Sequence, residues 1–429
     1  MAQYICSKCG YGSASWYGKC PSCQDWNTFE KTAETGSKKS RSSKAVAAHA
    51  EKLSTMSSQS NKRLPTLNDE FDRVLGGGFV QGEVVLLAGE PGVGKSTLLL
   101  SVLGNIPSFY ISGEESGQQV KQRADRLGIK SDHILFTNEL QVDSVIAALE
   151  KYENQYEIAV IDSIQTLYTP DIPSPMGSVS QIKENASRLV DYAKRNNKII
   201  VFIGHVTKDG DIAGPKTLEH LVDCVVQLEG EKESTFRLLR ARKNRFGSVD
   251  EVGLFEMSED GLKQVTNPSL FIDKSIQAAA GRAVVITVEG SRSLLYEVQS
   301  LVVPTQLAIP RRIASGVDYN RLQLLLAVIR KNLKMNLDKY DIYVSVAGGL
   351  TIKSPSADLG IAASIISSVK NTKLPLDVAF VGEIGLLGEV RSTRREKKIM
   401  FDAKRLGLKK IISSDHIHMI SQLGTMVIR

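Results

Sequence analysis

Nine consecutive residues of this 429-residue chain have the types and spacing to grip a polyphosphate: Gly89, Glu90, Pro91, Gly92, Val93, Gly94, Lys95, Ser96 and Thr97. They satisfy G-x-x-x-x-G-K-[ST] between an apolar strand, 84–88, and an apolar helix, which is the context the pattern requires. Glycines in such a loop let backbone amides wrap the phosphates. Lys95 meets the β and γ oxygens, and Ser96 or its neighbour Thr97 binds magnesium. The cofactors this predicts are ATP and Mg2+.

Two more apolar runs end in carboxylates. "YEIAVIDSIQTL" reads as a buried strand closing at Asp162, which can hold the magnesium water shell together with Ser96. "SFYISGEES" ends in Glu114 and Glu115, with Glu114 the first choice and Glu115 the second for polarising an attacking water. Either glutamate could instead answer a helix dipole. His205, after the apolar run 198–204, stands where it can sense a γ-phosphate or serve as a structural hydrogen-bond partner. The stretch "ARKNRFGSVDE" gathers Lys243 and Arg245, and three settings are open for it: a solvated turn, nucleic-acid phosphates, or the phosphate of a nucleotide held elsewhere.

The elements that must position these residues are legible as strands at 84–88, 108–112, 133–137, 157–162 and 198–204 with helical stretches between them, a doubly wound α/β sheet. Segments 168–180 and 205–217 are too rich in Pro and Gly to be packed elements and read either as loops that order on a polymeric ligand or as plain surface loops. Lys208 and Lys216 in the second are candidate DNA contacts.

Ahead of this block, Cys6 and Cys9 form one C-x-x-C knuckle and Cys20 and Cys23 another, enough thiolates for a tetrahedral structural Zn2+ site in residues 1–30. A module this small depends on its metal to fold. Trp16, Tyr17 and Trp26 read as packing over that metal, and Cys224, inside "LVDCVVQLE", as a buried small hydrophobe. Residues 31–62, rich in Ser, Lys and Ala and free of Phe, Trp and Tyr, read as a flexible linker. Residues 63–268 form the nucleotide domain and 269–429 a separate α+β domain.

With no run of about 18 apolar residues and no signal-type start, a cytoplasmic protein without a membrane partner is expected. The formal net charge of +7 is uneven: residues 1–62 carry +5, 63–268 carry −8 and 269–429 carry +10. An acidic core between basic ends points to a polyanionic partner.

Taken in order, the four-cysteine knuckle, "LGGGFVQGEVVLLAGEPGVGKST", "SGEES", "DSIQTL", "GHVTKDGDIAGPKTLEHLVD" and "KNRFG" resemble the RadA/Sms family of bacterial recombination proteins across essentially the whole chain. The resemblance implies a RecA-like core, similar also to the replicative helicase DnaB and to KaiC. It implies a ring, taken as a hexamer, whose DNA-stimulated ATPase binds single-stranded DNA. Such a ring promotes branch migration of branched DNA in recombination, repair and the stress response, at the nucleoid, with recombinase or helicase partner proteins. In that setting Lys243 and Arg245 neutralise γ-phosphate charge across a subunit interface, Arg245 being the finger because its planar fork grips phosphate oxygens. Direct DNA contact by the two stays open.

Residues 269–429 look like the proteolytic domain of Lon, a fold shared with the ribosomal S5 domain 2-like superfamily. Pro355-Ser356-Ala357-Asp358 carries Asp358 where Lon has glycine, and Lys397 falls at the position of the Lon lysine. A carboxylate there is expected to hold a lysine protonated and obstruct the peptide path, leaving a proteolytically inactive scaffold. "STRREKKIMFDAKRLGLKK" suggests an electropositive, DNA-binding face, to which Arg311 and Arg312 could add unless they serve subunit packing. Two other functions use the same motifs: a KaiC-like regulatory phosphotransferase, and an ATP-dependent serine peptidase requiring Ser356 and Lys397.

Overall fold

Two antiparallel pairings organise the cysteine-bearing segment. In the computed structural model, β1 (Tyr4–Cys6) lies between β2 (Gly12–Ser13) and β3 (Phe29–Lys31). The structure describes residues 4–6, 12–13, 15–21, 24–31, 62–205, 216–230, 235–265, 278–393 and 395–428. Its two compact units are Met1–Ser60 and Asn61–Arg429. In the first, Cys6 and Cys20, one from each knuckle, share a buried cluster with Phe29, and Cys6 Sγ donates to Thr28 Oγ1 at 3.1 Å. Cys9, Cys23 and nearly all of the 31–62 stretch lie outside the described residues. The aromatic cover expected over the metal is not a buried one: Trp16, Tyr17 and Trp26 are 52%, 47% and 69% exposed. Trp16 Nε1 and the Tyr17 ring turn towards Phe29 instead.

The second unit begins with a short pair, β4 (Arg63–Leu64) and β5 (Phe79–Val80), enclosing α1 (Asp69–Leu75). Asn68 caps that helix by accepting from Phe71 N at 3.0 Å. Then come β6 (Val84–Gly89), α2 (Lys95–Leu103), β7 (Ser108–Ser112), α3 (Gly117–Arg126), β8 (Ile134–Thr137), α4 (Val142–Lys151) and β9 (Ile158–Asp162). They are followed by α5 (Val179–Asn196), β10 (Ile199–His205), α6 (Lys216–Leu221), β11 (Cys224–Glu229), β12 (Phe236–Asn244), β13 (Val252–Ser258) and β14 (Gly261–Gln264).

One nine-stranded sheet results, ordered β14-β13-β12-β11-β6-β10-β9-β7-β8, with β6 to β11 parallel and the last three strands added antiparallel. Every residue of β6 is buried, as a strand covered on both faces must be, which is why its sequence is an unbroken apolar run. α3 starts at a Ser116–Gln119 capping box and α5 at a Ser178 cap. The buried Ile182, Ala186, Leu189 and Ala193 of α5 recur at helical spacing and face the sheet. Cys224 is fully buried and burial pushes its thiol pKa up, in keeping with an inert core residue. The segment before α5 is already ordered: Gln181 accepts from Thr169 N and donates to the carbonyls of Thr169, Ile172 and Ser174, all within 3.1 Å. Residues 206–215 lie outside the described residues.

The C-terminal sheet comprises β15 (Arg282–Glu289), β16 (Arg292–Pro304), β17 (Arg312–Ser315), β18 (Tyr340–Val346), β19 (Val378–Phe380) and β22 (Lys410–Ile412), ordered β17-β18-β16-β15-β19-β22. A hairpin of β20 (Glu383–Ile384) and β21 (Val390–Arg391) stands beside it. Side chains alternate across β15. Val285 faces α7 (Tyr319–Leu333), α8 (Asp358–Lys370) and α10 (Ile420–Ile428), whereas Val284 and Ile286 face α9 (Glu396–Arg405). Leu254 of β13 is buried in the first of these cores, so the two sheets share packing.

Candidate active site

The phosphate loop turns at Gly92 (φ +79°) and Gly94 (φ +110°), left-handed positions that favour glycine. A Cβ on Gly94 would also lie 2.9 Å from Leu262 Cδ1. The first turn of α2 therefore opens at Lys95, with its amides at the carboxyl edge of the sheet, where ligands meet open α/β folds. Beyond this loop lies a cavity of about 310 Å³ lined by Lys95, Ser96, Thr97, Glu114, Glu115, Arg123, Asp162 and His205. All five catalytic candidates predicted for the nucleotide pocket thus converge.

Lys95 Nζ donates to Gly89 O at 2.9 Å, Glu90 O at 3.0 Å and His205 Nδ1 at 3.2 Å. Burial draws its pKa below the ordinary lysine value, against the opposing pull of Asp162 and Glu114. An ammonium only donates, so Nδ1 of His205 accepts and Nε2 carries the hydrogen directed at Glu114 Oε1, 3.2 Å away. Ser163 Oγ donates to the same Oε1 at 2.6 Å. Burial by itself would raise the Glu114 carboxyl, but Ser163, His205 and Lys95 outweigh it and hold the group below its usual value. Glu115 is occupied differently, in an ion pair with Arg123. Glu114, tied through His205 to the phosphate-binding lysine, is thus the better placed of the two glutamates.

Asp162 Oδ2 accepts from Tyr110 OH at 2.6 Å, and Ser96 lines the same cavity. Burial pushes the Asp162 carboxyl up, a cost that a bound divalent cation would reverse. A hydroxyl and a carboxylate lining one cavity beside the phosphate loop are the oxygen donors a hard cation takes, so the residues fit Mg2+.

The Lys243–Gly247 loop lies elsewhere. β12 runs antiparallel to β11, pairing Asn244 with Cys224, while Leu228 of β11 is level with Gly89. Four strand residues, roughly 13 Å, thus separate this loop from the level of its own phosphate loop. Arg245 is 55% exposed, with Nη1 3.2 Å from Asp223 Oδ1. Lys243 Nζ donates instead to the carbonyls of Glu219 and Val222, closing the end of α6. Of the two predicted fingers, Arg245 is the one presented to solvent.

The DNA candidates divide in the same way. Arg312 is committed to its own backbone, donating to the carbonyls of Arg311, Tyr340 and Leu337, and burial lowers its pKa. Arg311 is exposed. Lys208 and the side chain of Lys216 lie outside the described residues.

Ser356 Oγ lies 2.8 Å from Ser354 Oγ, and Lys397 is exposed on α9, which packs on the other face of the C-terminal sheet. Asp358 is not beside a lysine: it is buried and pairs with Arg321, and its Oδ2 also accepts from Ile384 N at 3.1 Å. The charge in the Lon glycine position is therefore structural. Removing one partner of a buried pair is strongly destabilising, and the partial exposure of Arg321 softens this. Asp358→Ala is expected to cost about 2–3 kcal/mol by urea denaturation, with Ser356→Ala close to wild type.

Three residues that line or back the pocket escape sequence reasoning. Ser163 is adjacent to Asp162 and could have been found as a second polar group at a strand end. Tyr110 sits inside an apolar strand, where an aromatic reads as core, and Arg123 is eight residues beyond its partner on an ordinary charged helix face. Neither carries a sequence signal.

Residues 64–267 match the KaiC ATPase family model, 4–31 the rubredoxin metal binding domain and 317–421 the Lon protease (S16) C-terminal proteolytic domain. Fold and site together define a RecA-like P-loop ATPase, an ATP-hydrolysing enzyme, carrying an N-terminal zinc-ribbon module and a C-terminal Lon-like domain. The DNA repair protein RadA of Halalkalibacterium halodurans is 45% identical, across 96% of this chain and 92% of that protein. RadA of Bacillus subtilis is 43% identical, again over 96% and 92%. The chain belongs to the RadA family. Among solved structures, the RadB recombinase superposes with a TM-score of 0.38 at 21% identity, over 47% of this chain and 98% of that one. Among the described residues no helix is long and apolar enough to cross a membrane.

Proposed function

We propose that the chain is a ring-forming, DNA-stimulated ATPase that binds single-stranded DNA and promotes branch migration during recombination and repair in the bacterial cytoplasm. The observation that carries this reading is the position of Arg245, exposed and at the sheet edge opposite its own phosphate loop. A cation there cannot complete its own nucleotide site, and a neighbour in a closed ring can receive it.

In the subunit, Lys95 exchanges its carbonyl and His205 acceptors for β- and γ-phosphate oxygens. Ser96 and Asp162 would hold a magnesium ion, which would supply positive charge to the phosphates when bound. Glu114 accepts a hydrogen from the attacking water and orients it in line. His205, bonded to both Lys95 and Glu114, links γ-phosphate occupancy to the base. Arg245 of the adjacent subunit stabilises the charge that spreads over the γ-phosphoryl oxygens.

Residues 1–30 act as a zinc-stabilised module tethered by the linker at 31–62 to the ATPase region 63–268. The shared burial of Cys6 and Cys20 supports this reading. Residues 269–429 scaffold the ring and offer Arg311 and the lysines around α9 to the DNA backbone.

ATP turnover by the full-length protein, with and without single-stranded DNA, tests the proposal. DNA is expected to stimulate wild-type turnover severalfold, Lys95→Ala to abolish it and Ser356→Ala to leave it unchanged. Turnover indifferent to DNA would exclude the motor and favour a KaiC-like regulatory ATPase, and casein degradation lost with Ser356→Ala would favour a peptidase.

A further inference from the structure

The loop that carries Arg245 is held from two sides. On the ATPase side, Asn244 Nδ2 donates to Leu75 O at 3.2 Å, Arg63 donates to Phe246 O at 2.5 Å, and Arg245 N donates to Asp223 O at 3.1 Å. From Ser248 onward the partners change, and they come from the C-terminal sheet.

The tip of the β15–β16 hairpin, Glu289 to Arg292, makes the first set of these contacts. Gly290 (φ +60°) lies so close to the loop that a Cβ on it would fall 1.6 Å from Asp250 O. Ser291 Oγ donates to Glu251 Oε2 at 2.5 Å. Arg292 pairs with the buried Glu70 of α1, and Arg240 of β12 reaches back to Glu289 at 2.9 Å. Arg395, at the start of α9, makes the second contact: its Nη2 stands 2.9 Å from Asp250 Oδ2.

The Arg292–Glu70 pair is buried and belongs to the packing of the two sheets. The Arg395–Asp250 pair is different. Its side chains are 41% and 58% exposed, and ion pairs at that exposure add little to stability. What it can do is fix the direction in which the loop leaves the sheet, five residues after Arg245.

We propose that the β15–β16 tip together with Arg395 is a positioning strut: the C-terminal domain sets the attitude of the Arg245 loop, so that a shift of that domain changes turnover in the neighbouring subunit. This rests on the reading of Arg245 as the cation supplied in trans. Arg395 and Asp250 touch neither nucleotide nor metal in this arrangement and act through Arg245. A misplacement of about 1 Å in a transition-state group lowers rate by up to 10²-fold, so even a weak surface contact can matter to kcat while leaving the fold alone.

The test is a charge exchange in the full-length protein. Asp250→Arg, Arg395→Asp and the double variant are assayed for thermal unfolding and for KM and kcat of DNA-stimulated ATP turnover, beside Arg245→Ala. Each single variant is expected to unfold at the wild-type temperature, keep its KM for ATP and lose about tenfold in kcat, and the double variant to recover most of that loss. A merely structural pair would move the unfolding temperature and leave kcat alone. If Arg245→Ala is slow while both single variants turn over at the wild-type rate, or if the double variant is no faster than the singles, the strut fails and the trans cation stands. If Arg245→Ala itself turns over at the wild-type rate, both fall together.

Discussion

Replacing Arg245 by alanine is expected to lower kcat for ATP by about 10³-fold, the size of effect that a trans-acting arginine has on phosphoryl transfer. KM should change little, since every residue of the subunit's own pocket is untouched. The variant should also fold normally. Asp223, the carboxylate that Arg245 meets, keeps Lys194 as an ion-pair partner and Val84 N as a donor at 3.0 Å, so no buried charge is left without compensation. Mixing provides the sharper measurement. An Arg245→Ala subunit retains an intact phosphate loop and a Lys95→Ala subunit retains an intact finger; each preparation alone is inactive. In randomly mixed rings roughly a quarter of interfaces join the two good halves, so the mixture should regain turnover that neither parent shows. A mixture as inactive as its parents, or an Arg245→Ala protein at full rate, would remove the trans assignment.

Much of the ATPase domain could be read directly because its physics is local. A parallel strand covered on both faces reads as an apolar run, and the five strands predicted from the sequence were each found to within a residue or so at either end, four of them buried along almost their whole length and the edge strand β8 half-buried. The phosphate loop was equally plain, since left-handed backbone at Gly92 and Gly94 demands glycine. Sequence spacing could not show what a side chain meets once the chain has folded. Lys243 and Arg245 are two residues apart and look equivalent, yet β12 ends at Asn244, so the lysine, still in the strand, meets the carbonyls at the end of α6 while the arginine, in the turn beyond it, is left in solvent. Arg311 and Arg312 divide because neighbouring side chains at a strand start point to opposite sides. Asp358 was expected to trouble a lysine and instead meets Arg321, 37 residues earlier in the chain, a partner that only the packing of α7 on α8 brings near. The roles of Tyr110 and Arg123 are tertiary in the same sense.

Glu114→Gln should lower kcat by about 10²- to 10⁴-fold, the usual contribution of a positioned base, while Glu115→Gln should cost less than about tenfold. The amide keeps the shape of the side chain and can still accept from Ser163, so ATP binding is retained and the loss falls on chemistry. The pH profile of kcat/KM, which reports the free enzyme, carries the signature. Glu114 acts as its carboxylate. Because Ser163, His205 and Lys95 hold its carboxyl below the ordinary value of 4.5, the group is fully ionised at neutral pH and activity is lost only as pH falls below that value. His205→Ala removes one of those hydrogen bonds, so the acid limb should move to higher pH. Lys95 acts as its ammonium, and burial brings it below the ordinary value of 10.5, so the alkaline limb should begin earlier than a free lysine would allow. An acid limb left in place by His205→Ala would separate that histidine from the base.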